Sequence, residues 1–121
     1  MRKRRTKEPL SPEAFELALE EEEVALSAEF DLPLTLLVIR AKSEPDPETA
    51  SRLLEVFRTA EFVTRPDPSE IAVILPNTDP HGARALERRV RRVLPDADVG
   101  LATREPDDEA SDLLERARDL P

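Results

Sequence analysis

Apolar residues occur in separated blocks, and their spacing changes from block to block. Ser11-Pro12-Glu13 opens the first block with an N-cap residue, a proline suited to the first helical position and an acid in the first turn. Phe15, Ala18, Leu19 and Leu26 then recur at helical spacing and predict one inward face. Leu32-Pro33 ends that helix. Leu34 to Ile39 is short, continuous and bounded, the pattern of a strand buried on both faces. After the proline-rich loop from Ser43 to Pro47, Glu48 to Arg58 predicts a helix with Ala50, Leu53, Leu54 and Phe57 inward. Glu61 to Arg65 and Glu70 to Leu75 predict two strands, joined as a hairpin by a turn at Pro66-Asp67-Pro68-Ser69.

Pro76 to Asp79 leads into a helix from Pro80 to Leu94, with Ala83, Leu86, Val90 and Val93 inward and Arg84, Arg88, Arg91 and Arg92 outward. Ala97 to Thr103 predicts a fourth strand. Asp108 to Leu120 predicts a last helix that buries Leu113, Leu114 and Ala117. The order is helix, β-α-β-β-α-β, helix. The expected fold class is therefore α+β: a ferredoxin-like antiparallel sheet with helices on one face and extra N- and C-terminal helices. Residues 11–121 are expected to form a single domain, preceded by a basic, disordered arm at 1–10.

Composition narrows the classes of function. The 121 residues suit one core, and their net charge of −9 argues against a general nucleic-acid coat. With four Phe and neither Trp nor Tyr, the sheet offers little platform for stacking bases. There is no cysteine, which fits a reducing compartment, and the longest apolar run is far too short to span a bilayer. No apolar segment follows the basic start, so a cytoplasmic location is expected. Arg2, Lys3, Arg4, Arg5 and Lys7 form a basic arm, and the rest of the chain is strongly acidic. The run Glu20 to Glu23 spreads round its helix and cannot converge on one ion. His81 is the only histidine, with no second ligand nearby. No metal or other cofactor is expected.

Five stretches together carry a family resemblance. They are Pro33 to Ile39; Glu70-Ile-Ala-Val-Ile-Leu-Pro-Asn-Thr78; Gly82-Ala83 with Leu86 to Arg91; Val99-Gly-Leu-Ala102; and Pro106-Asp107 with Leu113 to Ala117. In this order they resemble GGDEF (diguanylate cyclase) domains over nearly the whole chain after Ser11, which implies a nucleotidyl-cyclase-like fold. Active members of that family hold Mg²⁺ with an aspartate at the end of the first strand and an acid of the motif. Their glycine pair lets the triphosphate approach.

The resemblance places the motif on Asp67-Pro68-Ser69-Glu70-Ile71, where only Glu70 keeps its identity. The glycine pair becomes Asp67-Pro68, which brings a negative charge and removes an N–H. The strand-end aspartate falls on Arg40, followed by Lys42, and cations repel Mg²⁺. The stretch from Arg40 to Arg58 is shorter than the family norm by roughly a dozen residues, the part that would read guanine. These losses imply a degenerate domain that is not an enzyme. Arg40 and Lys42 otherwise read as solvated residues at a strand end.

A second family site, Arg-x-x-Asp, binds the product. Its register holds Arg58-Thr59-Ala60-Glu61, and Arg89 matches the arginine that completes it. Guanidinium groups suit the phosphates and guanine edges of cyclic di-GMP. A local Arg58–Glu61 ion pair is the structural alternative. The expectation is a signalling or regulatory module that binds a protein partner, with cyclic di-GMP as a candidate ligand at Arg58, Glu61 and Arg89. Homo-oligomerisation is left open. A ferredoxin-like structural or oligomerisation domain with no nucleotide ligand is the alternative, and residual nucleotide processing ranks last.

Overall fold

The computed structural model describes residues 9–60 and 62–119. The chain begins with helix α1 (Pro12–Ala18), passes through a π-helical segment (Leu19–Glu23) and continues as α2 (Val24–Phe30). Strand β1 (Leu34–Arg40), helix α3 (Pro47–Val56) and the hairpin of β2 (Phe62–Asp67) and β3 (Glu70–Pro76) follow. Then come α4 (Pro80–Val93), β4 (Asp98–Thr103) and α5 (Ala110–Arg118). The strands form one four-stranded sheet in the order β2-β3-β1-β4, with every pairing antiparallel. This is the expected β-α-β-β-α-β arrangement. β1 and β3 lie in the middle, which explains their unbroken apolar runs: Leu34 to Ile39 and Ile71 to Leu75 are all buried.

Two cores result, one on each face. Leu36, Val38, Ala72 and Ile74 meet Phe15 and Leu19 from the N-terminal helices and Leu113 and Ala117 of α5. Leu37, Ile39, Val73 and Leu75 meet Leu53 of α3, Phe57 just after it, and Ala83 and Val90 of α4. The expectation of helices on one face holds for the β-α-β-β-α-β core, but the terminal helices cover the opposite face. Ser11 caps its helix as expected, and Asp46 and Asp79 cap two more. Ser11 Oγ accepts the Ala14 N–H at 3.1 Å, and Asp79 Oδ1 accepts the Gly82 N–H at 2.9 Å. Asp46 Oδ1 accepts the Thr49 N–H at 2.8 Å, and this hydrogen bond holds the Asp46 carboxyl below its usual range. α3 accordingly starts at Pro47.

Several boundaries differ from the sequence reading, each for a physical reason. The π segment adds a residue to one turn, so the inward face steps from Leu19 to Val24 and Ser27, and Leu26 is left 45% exposed. Ser27 is buried with its Oγ donating to the Leu32 carbonyl at 2.5 Å, and Asp31 closes α2 in the left-handed region at φ 53°. β2 runs on through Pro66 to Asp67 past a register shift after Thr64, and only Pro68 and Ser69 form the turn. An irregular edge strand tolerates this proline. Leu10, assigned above to the arm, belongs to the fold: its N–H donates to the Val63 carbonyl at 2.7 Å, and its own carbonyl accepts Thr64 Oγ1 at 2.8 Å. α5 is shorter than expected, starting at Ala110, because Asp108 is held in the preceding loop. The rest of the arm, residues 1–8, lies outside the described residues.

Candidate functional site

The β2–β3 turn and the end of β1 form one end of the sheet. Strand pairing sets Arg40 opposite Glu70 on one side and opposite Asp98 on the other. Alternation places all three on the face that carries α5. The row thus reads acid, base, acid across three neighbouring strands. Arg40 is half-buried and makes no ion pair within 4 Å among the described residues. Its neighbours take their cations from elsewhere. Arg118 Nε of α5 stands 3.3 Å from Glu70 Oε2, and Lys42 Nζ stands 3.8 Å from Asp98 Oδ2. The Glu70 contact is a charge pair without hydrogen-bond alignment, since Oε2 has no hydrogen-bond partner. Lys42 therefore has a partner and is not merely a solvated strand-end residue, although the contact is long and exposed.

The turn leaves little for an anion to bind. Pro68 has no N–H, and the Ser69 N–H donates to Asp67 Oδ1 at 2.8 Å. The Pro68 carbonyl accepts Arg65 Nη2 and the Ser69 carbonyl accepts the Ala41 N–H, both at 2.8 Å. This last bond ties the end of β1 to the hairpin. No cluster of three or more His, Cys, Asp or Glu suited to a metal ion occurs among the described residues. His81 is exposed at the start of α4.

The second candidate site lies toward the other end of the sheet. Arg58 follows α3, and its Nε pairs with Glu55 Oε2 at 3.3 Å, both side chains being well exposed. Glu61, the partner in the structural alternative raised above, lies outside the described residues. Arg89 is exposed on α4, which packs beside α3. A surface pocket of about 470 Å³ opens here, lined by Glu23, Phe57, Phe62 and Leu86 and by Thr59 and Ala60, the two residues between Arg58 and Glu61. Its walls are largely apolar side chains.

Among solved structures, the GGDEF domain of DgcB from Caulobacter crescentus, in complex with c-di-GMP, superposes with a TM-score of 0.75. The match has 18% identity over 97% of this chain and 85% of that one. The fold is that of the GGDEF domain. The active GGEEF domain of a diguanylate cyclase from Vibrio cholerae (TM-score 0.76, 15% identity, 91% of this chain and 86% of that one) has the same fold. So does the GGDEF domain of FimX from Pseudomonas aeruginosa (0.76, 18%, 95% and 88%). No protein-family model and no curated protein sequence matches the chain. No helix among the described residues is long and apolar enough to cross a membrane.

The structure brings together Glu70 and Arg40, both singled out from sequence, and adds Asp98 and Arg118, which sequence reasoning missed. Alternation sets only the face of Asp98, and its place beside Arg40 depends on how β1 and β4 register. Nothing local marks Arg118, because its partner is remote in sequence.

Proposed function

We propose that this GGDEF-fold domain is a non-catalytic signalling module. It acts by binding a protein partner and takes cyclic di-GMP at Arg58, Glu61 and Arg89. The observation that carries the non-catalytic part is the charge row at the hairpin end. Glu70, the one acid retained in the motif register, is paired with Arg118, and its cross-strand neighbour is a cation. A divalent ion needs several anionic oxygens, and here Glu70 and Asp98 flank Arg40 and are paired with Arg118 and Lys42. Without a metal to neutralise the triphosphate, phosphoryl transfer loses its main stabilisation. The turn's consumed donors support the same reading.

Binding is supported by the exposed Arg58, which lies between the pocket-lining residues Phe57 and Thr59. Guanidinium groups can fork onto phosphate or guanine while the walls take a base face. Two measurements test the proposal. Incubation with GTP and Mg²⁺ or Mn²⁺ is expected to leave GTP unchanged; turnover lost in Glu70→Ala would overturn the non-catalytic reading. Calorimetric titration with cyclic di-GMP is expected to show micromolar binding that disappears in Arg58→Ala. No heat with the wild type would remove the nucleotide and leave a protein-binding scaffold.

A further inference from the structure

Charge divides between the two helical layers. Between residues 9 and 39 the chain has eight acids and neither lysine nor arginine. Glu20, Glu21, Glu22 and Glu29 are exposed, on helices that cover one face of the sheet. α4, on the opposite face, carries five arginines against the single Glu87, which pairs with Arg91 at 3.1 Å. Arg84, Arg88 and Arg92 are exposed at i, i+4, i+8 and make no ion pair among the described residues. The acidic layer also holds the large apolar side chains left in water: Leu17 at 55%, Leu26 at 45%, Phe30 at 59% and, just beyond α2, Leu32 at 41%. The π segment helps create this surface, because its extra residue turns Leu26 away from the core. Leu26 and Phe30 stand one above the other at i, i+4.

We infer that the acidic, partly apolar α1–α2 face docks on the basic α4 face of a second copy of this chain. The two surfaces lie on opposite sides of the same sheet, so one molecule can offer both at once. Such a contact is heterologous: each copy uses one face for the copy before it and the other for the copy after it, and the array does not close by two-fold symmetry. Arginine stems on α4 provide aliphatic surface for Leu26 and Phe30, while their guanidinium groups reach the glutamates. The net charge of −9 makes whole copies repel at long range. Facing patches prevail only at separations within a screening length, about 8 Å at physiological salt. This contact names one partner of the binding module proposed above. It needs no nucleotide, so its failure would leave that reading standing.

The test is sedimentation of the full chain over a range of concentrations at about 0.15 M salt, repeated at about 1 M, where screening shortens to roughly 3 Å. The mean mass is expected to grow past that of a dimer with concentration and to fall back in high salt. Two variants divide the contact: Glu20→Lys with Glu21→Lys, and Arg84→Glu with Arg88→Glu. All four positions are exposed, and circular dichroism checks that the fold is kept. Each variant alone is expected to be a monomer. Mixed, each offers one unaltered face to the other and the two reversed faces again carry opposite charge, so the mixture is expected to assemble. Phe30→Ser is expected to weaken assembly without loss of fold. A wild type that stays monomeric throughout would overturn the inference, as would variants that assemble like wild type or a mixture that does not assemble. Assembly lost on deleting residues 2–7 but kept in Arg84→Glu/Arg88→Glu would overturn it too, placing the basic arm rather than α4 on the acidic face.

Discussion

Arg40 shows how one residue alters what a site can do. It stands on the central strand between Glu70 and Asp98, a cation separating two carboxylates. Arg40→Asp would put three acids in one row, and like charges on adjacent strands destabilise. The variant is expected to melt lower than wild type in chelator and to recover part of that loss in Mn²⁺, while the wild-type midpoint ignores the metal. Asp108 makes a second residue-scale case. It accepts Arg116 Nη1 and Nη2 at 2.9 and 2.8 Å and the Glu105 N–H at 2.6 Å, anchoring α5 to the loop before it. The Arg116 hydrogen bonds hold the Asp108 carboxyl below its usual range, and the same pairing raises Arg116. A depressed carboxyl contributes stability that is present above its unfolded pKa and lost as pH falls through its folded one. Asp108→Ala is therefore expected to cost about 1–2 kcal/mol at neutral pH. The gap from wild type should narrow as pH falls below the carboxylate range, read by thermal melts across acid pH.

At the scale of elements, the caps and strands behave as their sequences suggest. Asp79 caps α4 through the Gly82 N–H, and Asp79→Ala is expected to lower stability by about 1 kcal/mol. Leu37, on the central strand β1, is fully buried, and Leu37→Ala is expected to cost about 2–5 kcal/mol in chemical denaturation. A domain of this size has about 5–15 kcal/mol in all, so that single change removes a large share. The first helix is less regular. Periodicity from Phe15 predicts Leu26 inward, which an unbroken α-helix would deliver. The π segment changes the phase, and Ser27 takes the buried position because its hydroxyl finds the Leu32 carbonyl. Poor helix formers do not mark this place, since glutamates fill it.

For the whole molecule, the sheet order separates two ends and two faces. The hairpin end holds the charge row, the far end the pocket beside Thr59 and Ala60, and the faces carry opposite charge. A ligand at the far end and a second copy on a helical face need not compete for the same side chains. Cyclic di-GMP binding, if calorimetry shows it, is accordingly expected to be unchanged in Glu20→Lys/Glu21→Lys, tested by the same titration.

The order of elements, the two central strands, the hairpin and the Ser11 cap were legible in the sequence. They depend on neighbours within a few residues and on burial periodicity. Arg40 and Glu70 were singled out through resemblance, and the structure sets them opposite each other on adjacent strands. What only the tertiary structure decided is remote pairing, Arg118 on Glu70 and Lys42 on Asp98, and the second face covered by the terminal helices. Local sequence sets which way a side chain points along its own strand or helix. Which group it meets is set by how strands register and where helices land, and those depend on the packing of the whole sheet.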